Sequence, residues 1–523
     1  MPRRQRLVAT LRWSGVPVVA SRGGKFANAS AERNTVSSKA SVFGLLDEAP
    51  MTGLHYYYWL LASGGTLLDG FSVVSLGIAI PLLKQDMTIT PVFVGLIGSA
   101  LVLGAVLGAM LGGIAADRIG RKHVFIADMA IMVVGSVLCT MAHEPSLILV
   151  GQFLIGVGIG IDFPASGSYV SEIMPRSLRS RMTVATIALQ SVGMILAAIV
   201  ATAILRLHAA ATDWRLLLGT GGLLAALYMC ARLFLPESLR WLAEKGRLAE
   251  AAKVLSRLTR TPVSVTRLEN SESAAIAPIK SLGFAALFSP RYRTRTLLES
   301  VPWLMMDVAT YGVGLFTPVI LGAMHFDSAR SGTVAAVLGD AEGSGLVDLF
   351  LLAGFIVGIW AIPRFGRIPL QVTGFAGMAL GMLLLMFAAM ALGMLLLMFA
   401  AMAGDGPQGH LGLIIAGFVL FNFAMNAGPN ATTFTLPPVL FPTAIRASAS
   451  GFAAACAKVG ATFGTFLVPQ LQAAWGLTGV LALMAFVSIG GLLATAAFAH
   501  AVDREDELEE LPVAVNDAHK PAR

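Results

Sequence analysis

The sequence predicts an all-α polytopic membrane protein, with twelve transmembrane helices in two pseudo-symmetric six-helix bundles. Three observations carry this. Of 523 residues, 56% are hydrophobic and only 13% charged, against about 25% charged in a soluble domain. The apolar residues fall in runs of spanning length, since about 20 apolar helical residues cross the hydrocarbon core. The two halves of the chain also echo one another in the same direction. A mean hydropathy of +0.76 agrees.

The first 31 residues hold five arginines and no acid. They lack an uninterrupted signal-peptide core. An organellar targeting segment would share this composition, but residues 1–56 read as a basic disordered tail or as a start codon placed too far upstream. Twelve spans follow, α1 to α12, near 57–83, 91–116, 123–142, 146–174, 182–206, 214–235, 297–322, 345–362, 368–403, 411–435, 447–472 and 477–499. Residues 57–236 form the first bundle and 297–499 the second. Between them, 237–296 is a polar linker carrying the amphipathic stretch "SLRWLAEKGRLAEAAKVLSRL". Residues 500–523 are an acidic tail in which "DREDELEE" reads as solvated.

The net charge of +7 is not gathered on one face, so nucleic acid is not an expected partner. Arg118, Arg121, Lys122, Arg176, Arg179, Arg181, Arg364, Arg367 and Arg446 lie in the loops α2–α3, α4–α5, α8–α9 and α10–α11. By the positive-inside rule these loops, and with an even span count both termini, are cytoplasmic. A bacterial inner membrane and a monomer are expected. Cys139, Cys230 and Cys456 lie in apolar stretches, and no cysteine–histidine spacing suggests zinc. No Walker-type loop is present, and Gly156, Gly158 and Gly160 follow no strand, so they read as helix packing. No metal, cofactor or enzymatic activity is expected.

"PRSLRSRMTVATIALQSVG" at 175–193 echoes "PTAIRASASGFAAACAKVG" at 442–460. Parallel repeats of this kind belong to transporters with the solute path between the bundles. A local repeat, "MALGMLLLMFAA" at 378–389 and again at 390–401, makes the ninth run too long for one comfortable span. It reads as an insertion by duplication or sequence error.

Charged groups deep in a span cost about 2.5–3.5 kcal/mol each on insertion scales and so need a reason. Those singled out are Asp69, Asp128, Asp162, Asp307, Asp348 and Lys458. Asp128 reads as half of a structural ion pair, and Asp348 as a group reaching water at the outer end of α8. Asp69, Asp162 and Asp307 are deep enough to line a central cavity and exchange protons. Trp303, Asp307 and Tyr311 follow i, i+4, i+8 spacing on one helix face. In α10, Gly428-Pro429 interrupts the helix beside Asn430, Thr432 and Thr433. Gln190 and Lys458 complete the polar set, Lys458 as an anion anchor or as a side chain snorkelling to the edge.

"GGIAADRIGRK" at 112–122 and "PESLRWLAEKGR" at 236–247 resemble loop motifs of the major facilitator superfamily, over roughly residues 57–499. The resemblance assigns Asp117, Arg118, Arg121, Glu172 and Arg179 to gating contacts. Within that superfamily, "GIDFPASGSYVSE", "WLMMDVATYG" and "GPNATTF" are similar to motifs of the phosphate:proton symporters. This implies substrate contacts at Gln190, Trp303, Asp307, Tyr311 and Asn430, with Lys458 as a supporting cation. It implies proton-path carboxylates at Asp69, Asp162 and Asp307. Two departures remove groups an anion would use: Phe163 stands for a tyrosine, and Gln152 for an arginine. The expected function is proton-coupled symport of a small polar solute, with inorganic phosphate leading. The alternatives are an organic acid, a polyol or a sugar, an uncoupled uniporter, an antiporter or a non-transporting sensor.

Overall fold

The computed structural model describes residues 42–208, 210–265, 284–323, 333–401, 411–433, 435–436, 440–441 and 443–510. Of the tail expected to be disordered over residues 1–56, residues 1–41 lie outside these, while 42–56 include the helix Val42–Asp47 and the start of Gly53–Ala62. The side chains of Asp117, of Arg446 and of the second copy of the local repeat also lie outside the described residues. All regular structure among the described residues is helical.

The first bundle is α1 (Gly53–Ala62, then Gly64–Asp86), α2 (Pro91–Ile119), α3 (Arg121–Thr140), α4 (Pro145–Ile173), α5 (Arg176–Leu207) and α6 (Trp214–Arg232). The second is α7 (Arg293–Ala323), α8 (Thr333–Phe365), α9 (Arg367–Ala401), α10 (Leu411–Ala427, then Pro429–Thr433) and the run Thr443–Glu510. That run bends at Gly476, whose φ of 67° only glycine adopts at low cost, and so divides into α11 and α12. Nine of the described helices are long and apolar enough to cross a membrane. The ninth span is one continuous helix of 35 residues.

Packing repeats between the halves. Helix α2 lies on α4 as α8 lies on α10, and α3 lies on α4 and α6 as α9 lies on α10 and α12. The bundles meet through α5 with α8 and α2 with α11, while α1 meets α7 at the centre. Small residues allow the closest approaches. Gly104, Gly108 and Gly112 abut the backbone at Phe153, Val157 and Ile161, and Gly156 and Gly160 reciprocate against Leu101 and Ala105. In lipid no hydrophobic gain drives helices together, so this contact supplies the packing energy.

On the side away from the arginine loops the bundles touch along their length. Arg206 pairs with Glu342 at 2.6 Å, Ser99 Oγ donates to the Thr462 carbonyl at 3.4 Å, and Gly345 faces Ala198. On the arginine side the linker folds back as Leu239–Glu244 and Leu248–Thr259. Its Leu239, Trp241, Leu242, Leu255 and Leu258 pack with Tyr58, Tyr169 and Ile173 of the first bundle. The amphipathic stretch is thus two short helices around Gly246, whose φ is positive.

A side chain at Gly108 would overlap the Val157 carbonyl. Gly108→Leu is expected to cost about 1–3 kcal/mol or more, read as a lowered unfolding temperature in detergent.

Candidate functional site

A narrow cavity of about 40 Å³ lies between the bundles, lined by Asp69, Phe163, Gln190, Trp303, Asp307, Tyr311, Asn430 and Lys458 together with Thr310 and apolar residues. Four helices supply its polar core. Tyr311 donates to Asp69 Oδ2 at 3.0 Å and Gln190 Nε2 donates to the same oxygen at 2.9 Å. Lys458 Nζ bonds to the Tyr311 hydroxyl and lies 3.7 Å from Asp307 Oδ2. Its ammonium also sits over the Tyr311 ring at 4.2 Å and the Phe163 ring at 5.7 Å. Lys458 therefore points into the cavity rather than snorkelling. Phe163 still meets the cation, through its ring face instead of a hydroxyl.

The helical column predicted on α7 is present: Trp303, Asp307 and Tyr311 share one buried face. On α10 the chain turns at Gly428, and Asn430 Nδ2 donates to Asn426 Oδ1 at 2.8 Å. Thr432 Oγ1 reaches Gln371 Oε1 at 3.0 Å, and Gln371 Nε2 donates to Thr495 at 3.2 Å. The broken helix is thereby tied to α9 and α12.

Asp162 is not in this cavity. It is fully buried inside the first bundle, with Arg232 Nη2 2.7 Å from its Oδ1. Arg232 Nη1 bonds both oxygens of Asp128 at 3.2 Å. The guanidinium also donates to the carbonyls of Leu61 and Ala62 at 2.9 Å and of Phe125 at 3.3 Å. Every nitrogen of the guanidinium thus has an acceptor or a counter-charge. The Leu61 and Ala62 carbonyls sit where α1 breaks at Ser63, and Gly65 abuts the Asp162 carboxylate. The ion pair expected for Asp128 thus exists, but its partner is on α6. Arg232 escaped sequence reading because it closes its helix and passes for a loop cation. The signal was its place in "LYMCARLFL", with apolar residues on both sides. Gln152 is buried a short way along α4, bonded to Cys139 at 3.6 Å, and is no part of this cluster.

On the arginine side, Arg121 Nη2 pairs with Glu172 at 3.3 Å and the Arg121 amide donates to Glu237 Oε1 at 2.8 Å. Glu172 also accepts from Ser238, and Tyr169 donates to the Pro236 carbonyl at 3.0 Å. Loop α2–α3, the end of α4 and the start of the linker are therefore one network. Arg118 is exposed. Arg179 is placed elsewhere: it pairs with Asp47 of the short helix Val42–Asp47. Asp348 does not reach water. Helix α8 begins at Thr333, twelve residues before the apolar run seen in sequence, so Asp348 lies mid-helix and only 5% exposed.

A family model described as sugar (and other) transporter matches residues 81–512. The chain belongs to that family. The inner membrane metabolite transport protein YgcS of Escherichia coli (strain K12) is 28% identical over 450 residues, covering 86% of this chain and 92% of that protein. Inorganic phosphate transporter 1-2 of Oryza sativa subsp. japonica is 28% identical over 469 residues, covering 82% and 86%. The partially occluded inward open form of the xylose transporter XylE from E. coli superposes with a TM-score of 0.63 at 19% identity, covering 85% of this chain and 99% of that one. The fold is that of the major facilitator superfamily, and the protein is a membrane transporter, not an enzyme.

Removing Arg232 leaves two buried carboxylates without their cation, at a cost of about 3–5 kcal/mol. Arg232→Leu is expected to lower the unfolding temperature sharply. Adding Asp128→Asn and Asp162→Asn to it should recover most of the loss.

Proposed function

We propose that the transporter is a proton-coupled symporter of a small polar solute, with inorganic phosphate the leading candidate. The observation that carries this is the charge balance of the cavity: Asp69 and Asp307 face a single Lys458. With both carboxylates ionised the site is net negative and repels an anion. One proton cancels that charge, and a second leaves Lys458 unopposed. An anion therefore binds only with protons, which is the linkage that symport needs. Trp303, Asn430, Gln190 and Tyr311 then offer donors around it. The phosphate assignment is supported by the motif resemblance and by the plant phosphate transporters among the relatives.

A neutral polyol or sugar is the second reading, favoured by the excess of carboxylates and the single ammonium. Hydroxyl groups would accept from Lys458 and Trp303 and donate to Asp69 and Asp307. In both readings Asp162, paired with Arg232 inside the first bundle, acts on the cavity through α1. Asp69 lies two turns beyond the α1 break that Arg232 grips. The network of Arg121, Glu172 and Glu237, with Asp117, Arg118 and Arg179 nearby in sequence, serves the inward/outward transition. The basic loops and both termini face the cytoplasm of a bacterial cell, and the working unit is the monomer.

A thermal-shift panel of phosphate, carboxylates, polyols and sugars on purified protein selects the solute. In proteoliposomes an inward proton gradient should then drive its uptake, and Asp307→Asn should cut that uptake by about 10²-fold. Uptake that ignores pH and survives the change refutes coupling. Stabilisation and uptake confined to neutral sugars refute phosphate.

A further inference from the structure

One carboxylate of α7 has no place in the site described above. Glu299 lies four residues before Trp303 and eight before Asp307, so it continues the column toward the arginine side. It is 1% exposed, and neither carboxylate oxygen has a hydrogen-bond partner among the described residues. Eight residues of helix separate it from Asp307 by about 12 Å, with Trp303 one turn along.

Among the described residues no opposite charge pairs with Glu299. The elements packed against α7 are α1, α8, the α11–α12 run, Pro429–Thr433 and the turn Phe284–Phe288. The ionisable groups described on them are Asp69, Lys84 and Asp86 on α1, Asp340, Glu342, Asp348 and Arg364 on α8, Lys458 and Cys456 on α11, and His500 and Asp503 near the end of α12. Pro429–Thr433 and Phe284–Phe288 contribute none. On α7 itself the charged or titratable groups are Arg293, Arg295, Asp307 and Tyr311. Lys458 is engaged with Tyr311 and Asp307, and among the described residues no ion pair to Glu299 is formed.

An unpaired ionised carboxylate in a dry interior costs several kcal/mol. A bound proton removes that cost while the site is dry, and water removes it once the arginine side opens. We propose that Glu299 is a proton-binding station between the central site and the arginine side of the transporter. The inference rests on the proton-symport reading. The step moves one proton at a time: when the arginine side opens, the Glu299 O–H breaks and its proton passes to entering water. An Asp307 O–H then breaks, its proton relayed by water past Trp303 to re-form an O–H on Glu299. Drying and wetting of one buried residue would thus separate proton pickup from proton release.

The test splits coupled from uncoupled movement in proteoliposomes of the full chain, with radiolabelled inorganic phosphate and a labelled pentose as parallel probes. Glu299→Gln should slow uptake driven by a proton gradient by about tenfold or more, while solute counterflow, which needs no net proton movement, stays within about twofold. Glu299→Asp should restore part of the driven uptake. In infrared spectra of purified protein, Glu299→Gln should remove a protonated-carboxyl C=O band. Equal losses in driven uptake and counterflow would make Glu299 structural and overturn the proposal. Unchanged driven uptake, or an unchanged carboxyl band, would also overturn it. If the unmodified protein shows no proton-driven uptake of either probe, the symport reading itself fails.

Discussion

The structure is organised around the Arg232 guanidinium. A fully buried cation is tolerated only when each donor finds an acceptor and its charge is met. Here its N–H groups reach Asp128 on α3, Asp162 on α4 and the Leu61 and Ala62 carbonyls on α1. One side chain from α6 therefore joins four helices of the first bundle at a single depth. The α1 break at Ser63 is stable because its freed carbonyls are taken up there. The direction in which α1 then runs sets where Asp69 enters the central cavity.

The second bundle solves the same problem without charge. Gln371 on α9, Thr432 on α10 and Thr495 on α12 form a hydrogen-bonded chain across the helices equivalent to α3, α4 and α6. Parallel repeats place equivalent helices at equivalent depths, but the residues there have diverged. In the first bundle two carboxylates share one guanidinium, whereas the chain in the second is neutral. The buried carboxylates of the second half, Asp307 and Glu299, lie instead along α7.

Much of the site was legible because it obeys local periodicity. Trp303, Asp307 and Tyr311 share a face by spacing alone, and the glycines of α2 and α4 announced a close seam. Asp162 shows the limit. Its depth in an apolar helix signalled importance, but which side of α4 meets the cavity depends on packing, and Phe163 took that position. Asp348 lies at the edge of its apolar run in sequence because Asp340 and Glu342 shorten that run, although the helix continues through them. Arg179 was grouped with Glu172 by motif, yet its reach ends at Asp47.

By itself, the sequence determined that this chain crosses a membrane in two repeated halves and which spans carry charge. Burial in lipid acts on each residue separately, and helical periodicity is set over a few turns. Only the tertiary structure decided which charges neutralise which. Arg232 and Asp128 are 104 positions apart, and Tyr311 and Asp69 are 242 apart. Such partners are chosen by how helices rotate and cross, a property of the packed bundle and not of any one span.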